Sequence, residues 1–229
     1  MNEVLWFLML LSNFILVILA YRWWGKTGLY IWTSIATIIA NVQVIKTVSL
    51  FWIVATMGNI VYATSFLATD ILSENHGKKD AKRAVYVGFF SLISTTILMQ
   101  IALMFSPHAS DFSQEALTTI FGFLPRIAVA SMAAYWCSQL HDVWAYDFWK
   151  KRFPTRRHIW IRNNASTMVS QLIDTSIFTL VAFIGVFSAE IWWQIFWSTY
   201  LLKWIVAMLD TPFVYLARRM KESGKVGRL

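Results

Sequence analysis

The sequence predicts an all-α, polytopic integral membrane protein of about seven transmembrane helices, and three observations carry that reading. Of 229 residues, 58% are hydrophobic and 14% charged, more apolar surface than a soluble fold of this size can bury. Apolar runs of roughly the 20 residues that cross a bilayer core about 30 Å thick recur along the chain. Basic residues gather after every second run, as topology demands. Repetition of the apolar length also argues against a cleaved signal peptide as the reason for the apolar start.

The seven runs are 4–21, 29–45, 48–72, 84–105, 119–146, 160–187 and 191–217. The polar break between the second and third is short. Residues 29–72 therefore read either as two full spans or as one span plus an irregular segment. Basic residues follow the first run (Arg22, Lys26), the third (Lys78, Lys79, Lys82, Arg83), the fifth (Lys150, Lys151, Arg152, Arg156, Arg157, Arg162) and the seventh (Arg218, Arg219, Lys221, Lys225, Arg228). They make up 17 of the 20 Lys and Arg. By the positive-inside rule the N-terminus lies outside and the C-terminus in the cytoplasm of a multi-pass inner-membrane protein. Topology thus accounts for the net charge of +8, and no nucleic-acid partner is expected. Tryptophans near span ends (Trp23, Trp24, Trp149, Trp160, Trp192, Trp193) suit the lipid interface.

Catalytic chemistry has no foothold. Cys137 is alone, which rules out an intrachain disulfide and a CxxC-type metal site. His108 and the His141-Asp142 pair lack a second ligand pair, no G-x-S-x-G segment occurs, and Gly77 and Gly88 do not make a phosphate loop. No enzyme activity, metal or cofactor is expected, with an intramembrane enzyme or a structural protein as the rival classes.

Topology leaves three basic residues unexplained: Lys46 at the outer end of the second span, Arg126 in the outer third of the fifth, and Lys203 near the middle of the seventh. Snorkelling accounts for Lys46 cheaply and for Lys203 poorly. Asp70, Glu74, Asp142, Asp174 and Asp210 lie within spans or at their inner ends. In the sixth span Asn164, Thr167, Gln171 and Asp174 follow at steps of three, four and three, one stripe on a helix with Ser166 and Ser170 beside it. Such a stripe faces protein or water. It reads as interhelical hydrogen bonding or as a cavity lining, and the carboxylate favours the cavity. Asn59, Tyr62, Phe66 and Asp70 share a face of the third span. Ser34, Thr37 and Asn41 share one in the second, followed by Gln43. The small residues Ala128, Ala130, Ser131, Ala133 and Ala134 after Arg126 read as close helix packing. Amides, carboxylates and aromatic rings together suit a small polar solute, either a flat heterocycle or a sugar.

The segments around Asn41 and Gln43, Gly58-Asn59, the T-D-x-x-x-E-x-x-G run from Thr69 to Gly77, and the A-S-T-x-x-x-Q-x-x-D-T run from Ala165 to Thr175 resemble the queuosine precursor transporters of the vitamin-uptake-transporter family. The resemblance implies a six-helix core over 28–217, with 1–27 an added N-terminal helix and 218–229 a basic cytoplasmic tail, all in one transporter domain. It implies import of 7-cyano-7-deazaguanine, 7-aminomethyl-7-deazaguanine or queuine. The expected substrate-binding set is Asn41, Gln43, Asn59, Tyr62, Phe66, Asp70, Arg126, Asn164, Thr167, Gln171 and Asp174. Lys46, Glu74, Asp142, Lys203 and Asp210 are candidates for coupling or gating. Another vitamin-like or purine-like solute, a binding-subunit role beside a separate energising ATPase complex, proton coupling through Asp174 or Asp210, and a homodimer stay open.

Overall fold

The structure is a computed structural model that describes residues 1–51, 53–186 and 188–227. The expected end of the sixth span at Phe187, and Arg228 of the basic tail, lie outside the described residues.

Helix α1 (Asn2–Gln43) has 42 residues, about 63 Å if it were straight and twice the thickness of a hydrocarbon core. It folds back on itself at Gly25, whose φ of 56° and ψ of −136° are non-helical. The arms 2–24 and 26–43 lie against each other, and a Cβ on Gly28 would sit 2.0 Å from the Ala20 carbonyl oxygen. Glycine is required there because the two backbones touch. The first and second predicted spans are thus one helical hairpin. Its open end brings Asn2 to the Ser49 carbonyl at 3.1 Å, while its turn packs on the C-terminal tail through Gly227 N–H donating to Arg22 O at 2.8 Å.

Two short strands follow, β1 (Thr47–Leu50) and β2 (Ile53–Thr56), antiparallel with Thr47 opposite Thr56 and Leu50 opposite Ile53. The expected third span, 48–72, therefore begins as a β-hairpin and becomes helical ten residues later. Hydropathy is blind to this difference, because a β-branched apolar run reads alike as strand or as buried helix.

Helix α2 (Gly58–Asn75) is the axis of the bundle, with all 18 residues buried against α1, α3, α5 and α7. It carries Asn59, Thr64, Ser65, Thr69, Asp70, Ser73, Glu74 and Asn75, which lipid would not tolerate but a sheath of protein does. Helix α3 (Lys78–Leu103) follows a turn at Gly77, where φ is 94°. The expected fifth span, 119–146, is broken at Phe123 into α4 (Gln114–Gly122) and α5 (Leu124–Arg152). Pro125, in the first turn of α5, has no N–H for the preceding turn and crowds its carbonyl. A one-turn 3₁₀ helix (Arg156–His158) leads into α6 (Ile159–Phe183) and then α7 (Ala189–Glu222), which contains Pro212.

Among the described residues five helical stretches are long and apolar enough to cross a membrane: Asn2–Gln43, Lys78–Leu103, Gln114–Arg152, Arg156–Phe183 and Ala189–Glu222. Their outer faces carry bare apolar side chains such as Leu5, Leu8, Leu98, Val169 and Leu209. This is an all-α, multi-pass membrane fold wrapped around a polar helix. The sequence identified its class and most of its rods; it missed the strands and the break at Phe123.

Candidate functional site

The polar stripe of α6 turns inward, toward α2, α5 and α7. Asp174 lies at its centre, 1% exposed, and every neighbouring element supplies a donor to it. From α2, the Tyr62 hydroxyl donates to Oδ1 at 2.6 Å; from α5, the Ser138 hydroxyl donates to the same oxygen at 3.1 Å. From α7, Lys203 Nζ forms an ion pair with Oδ2 and sits 4.8 Å from the centre of the Tyr62 ring. Lys203, 2% exposed at mid-helix, thus has the partner that burial demands.

A cavity of about 340 Å³ opens beside this pair, lined by Ala40, Asn41, Val44, Gly58, Asn59, Tyr62, Ser131, Ala134, Asp174, Phe178 and Lys203. Its small residues make the room. A Cβ on Gly58 would fall 2.4 Å from the Ala40 carbonyl oxygen, so α2 starts in direct contact with the second arm of α1. Asn41 donates to Thr37 O at 2.8 Å, which leaves its own Oδ1 buried without a partner. Asn59 is held by donation to Thr56 O and Thr56 Oγ1. Toward the strands, Val44 also borders a separate apolar hollow between the β-hairpin, α5, α6 and α7. The cavity has the few convergent polar groups of a small-molecule site, and in this conformation it is tightly closed around them.

Of the expected binding residues, the structure brings Asn41, Asn59, Tyr62 and Asp174 to the cavity wall, with Lys203 from the expected gating set. Phe66 stands behind it, edge-on to Tyr62 with ring centres 5.8 Å apart. Gln171 is fully buried with both amide ends unused, and Thr167 donates to Asp70 at 3.3 Å, one level deeper. Gln43 and Lys46 lie beyond the cavity, at the strand end of the bundle, and Lys46 is exposed. Arg126 is exposed on the bundle surface and donates to Val181 O and Ile184 O at 3.2 and 2.6 Å, closing the C-terminal end of α6. Asn164 is half-buried at the stripe's edge; Asn163 takes the inward position, donating to Asp210 at 2.7 Å and to Thr211 at 3.0 Å. Sequence reasoning missed Asn163, although it lies seven residues from Ser170 and eleven from Asp174, both helical repeats of the buried face.

At the basic end several of the cations read as topogenic turn inward, while Lys151, Arg152 and Arg156 stay exposed. Arg162 is 0% exposed and donates to Glu74 at 3.0 Å, and Arg218 reaches the same carboxylate at 2.8 Å. Tyr146 donates to Glu74 at 3.3 Å. Lys150 donates to the Ser73 and Glu74 carbonyls at 2.8 and 2.7 Å, and Lys221 to that of Asn75, which satisfies the C-terminal end of α2. Reading all these cations as topogenic surface charge misplaced Arg162. Burial of Glu74 is what draws it inward.

A multi-pass helical bundle with a buried ion pair on the wall of an internal polar cavity fits a membrane protein of the transporter class. The chain belongs to the vitamin uptake transporter family: residues 56–217 match the family described as "Putative vitamin uptake transporter". It is 48% identical over 219 residues, 96% of each chain, to the "Probable queuosine precursor transporter" of Bacillus subtilis. It is 31% identical to a protein of the same printed name from Haemophilus influenzae over 68% of this chain and 64% of that one. With the "Queuosine precursor transporter" of Escherichia coli it shares 26% identity over 83% of this chain and 87% of that one. No solved structure matches the chain.

Proposed function

We propose that this chain is an inner-membrane carrier that imports a precursor of the tRNA nucleoside queuosine: 7-cyano-7-deazaguanine, its aminomethyl relative, or queuine. The carrying observation is the buried Asp174–Lys203 pair on the wall of the central cavity, and the relatives' names supply the solute. A deazaguanine presents a ring carbonyl beside a ring N–H and an exocyclic amine, an acceptor next to two donors. Lys203 and Asp174 present a donor next to an acceptor. In this reading Lys203 binds the carbonyl, Asp174 accepts from the ring N–H and the amine, and the free Asn41 Oδ1 takes the remaining amine hydrogen. Tyr62 and Phe178 hold the ring faces.

The chain crosses the membrane seven times, through the two arms of α1 and through α2, α3, α5, α6 and α7, with the N-terminus outside. Arm lengths of about 35 and 27 Å at 1.5 Å per residue support two crossings by α1. The turn at Gly25, the residues around Asp80, the end of α5 and the tail meet at one face, which supports a single basic cytoplasmic side. The carrier works alone, by alternating access of the central site, rather than as a subunit of a separate ATPase.

The test is uptake of labelled deazapurines by cells unable to make queuosine precursors, with tRNA queuosine as the readout. Removing one partner of a buried charge pair costs at least about 2 kcal/mol, so Asp174→Asn or Lys203→Met should weaken apparent affinity about 30-fold or more. A wild-type protein that inserts normally yet restores no queuosine with any of the three compounds refutes the reading.

A further inference from the structure

The bundle buries five acids: Asp70, Glu74, Asp142, Asp174 and Asp210. Two hold cations, Glu74 through Arg162 and Arg218 and Asp174 through Lys203. The other three do not: among the described residues no Lys, Arg or His forms an ion pair with Asp70, Asp142 or Asp210. All three are at most 1% exposed. They face one another across α2, α5 and α7, with Asp70 within hydrogen-bonding reach of Asp142 and Asp210 close enough for its charge to act on both.

From α6, Thr167 donates to Asp70, while Ser166 and Ser170 face Asp142. Asn163 donates to Asp210. Tyr146 of α5 is turned to Glu74, and Arg162 is spent on Glu74 as well. His141, half-buried on α5, contacts Ser170 at 2.9 Å. Both oxygens of Asp142 and Oδ1 of Asp70 have no protein donor. Two bare carboxylates do not sit in such contact in a dry interior; one carries a proton that the other accepts. Gln171 is a further buried polar side chain on the inward face of α6 that no protein group satisfies. It is 0% exposed with both amide ends unpartnered, one turn along α6 from Thr167 on one side and from Asp174 on the other.

We propose that Asp70 and Asp142, with Asp210 beside them, form a proton-binding site separate from the Asp174 cavity, and that its loading and release drive the carrier. An O–H bond forms on one of the pair with a proton taken from one side of the membrane and breaks to release it on the other. No electron changes hands. Helices α2, α5 and α7 contribute to both sites, so a movement that reopens the cavity also changes the separation of the acids. The drive rests on the transport reading above; the proton site does not.

The two halves are tested separately. In purified protein near neutral pH, the infrared carbonyl stretch of a protonated carboxylic acid should be present, and its frequency should shift both in Asp142→Asn, which exchanges the carboxylate beside Asp70 for an amide, and in Asp142→Glu. Absence of the band, or a band indifferent to both substitutions, overturns the site whatever the protein transports. In proteoliposomes, an inward proton gradient of one pH unit coupled one-to-one should raise deazapurine accumulation about tenfold. Asp142→Asn should abolish that gain and leave exchange between equal internal and external pools within about twofold, since it touches no cavity residue. Wild-type exchange with no response to a pH gradient, or with a response to a sodium gradient instead, overturns the drive. No exchange by the wild type refutes the transport reading and leaves the infrared result to decide the proton site.

Discussion

Substituting Glu74 tests whether the charge cluster at the basic end holds the bundle together. Glu74 on α2 joins Arg162 of α6, Arg218 of α7 and Tyr146 of α5. The two arginines differ in what they lose. Arg218 is 33% exposed and keeps Glu222 at 2.8 Å, so water and a second acid compensate it. Arg162 is 0% exposed, and without Glu74 it retains the Phe153 and Pro154 carbonyls at 3.2 Å but no counter-charge. Glu74→Gln should therefore cost about 3–5 kcal/mol, the usual penalty for stranding one member of a buried pair. Arg162→Met leaves Glu74 with Arg218 and Tyr146, and should cost nearer 1.5–3 kcal/mol, roughly the worth of a charged hydrogen bond. The double variant should be more stable than the sum of the two losses predicts, because it buries no unpaired charge. Reversible unfolding in mixed micelles, read by tryptophan fluorescence, gives all four corners of the cycle. Equal single losses, a milder effect of Glu74→Gln, or strict additivity would refute the assignment of Arg162 as a buried dependant of Glu74.

Three further outcomes follow from the geometry. Gly28→Ala places a methyl carbon 2.0 Å from the Ala20 carbonyl, so the arms of α1 must part and folded yield should collapse; Gly185→Ala meets open space and should cost only about 1 kcal/mol for its φ of 73°. Thermal stability of the two variants in detergent checks the contrast. Lys150→Met removes the cation that satisfies two carbonyls at the end of α2, and should speed amide exchange at Asn75 and His76 while leaving that of α4 unchanged. In the loop before α4, the backbone N–H and hydroxyl of Ser113 hold the Asp111 carboxyl below its usual range. A depressed folded value means the local turn is stabilised above the ordinary carboxylate pKa and loosened as pH falls through the depressed one. Exchange at the Ser113 amide, corrected for its intrinsic pH dependence, should therefore gain protection as pH rises through the acidic range, and Asp111→Asn should abolish that dependence.

The legible and illegible parts of this chain divide along a physical line. Hydropathy and charge mark what touches lipid and water. They yielded the rods of α1, α3, α5, α6 and α7, as well as the basic end. They do not mark what touches protein. Helix α2 was read within the 48–72 run as a lipid-crossing span, but it never meets lipid, and its polar content is the consequence. Thr47 to Thr56 pair as strands at the end of the bundle, partly exposed, where a β-branched apolar run reads alike as strand or helix. Within the site, periodicity found the inward stripe from Thr167 to Asp174 but misjudged its edge by about 100°, one residue of helix, taking Asn164 for Asn163. Partnership was less legible still. Lys203 and Asp174 each looked anomalous in sequence, and 29 residues of chain separate them; contact across α6 and α7 is what makes them one feature.

That pairing also sorts the buried acids, which sequence alone could only group together as intramembrane carboxylates. Glu74 and Asp174 carry the charge that their cations require, and both bind neighbouring helices through it. Asp70, Asp142 and Asp210 have no such obligation and are free to exchange protons without breaking an ion pair. Placing exchangeable acids about two helical turns beyond an ion-paired cavity separates two tasks that a single carboxylate would confuse. Asp174 can keep its charge to meet the solute while a proton comes and goes beneath it. If one acid served both roles, substitution of Asp142 would leave the response to a pH gradient intact and substitution of Asp174 would remove it. The arrangement of cations predicts the reverse for Asp142.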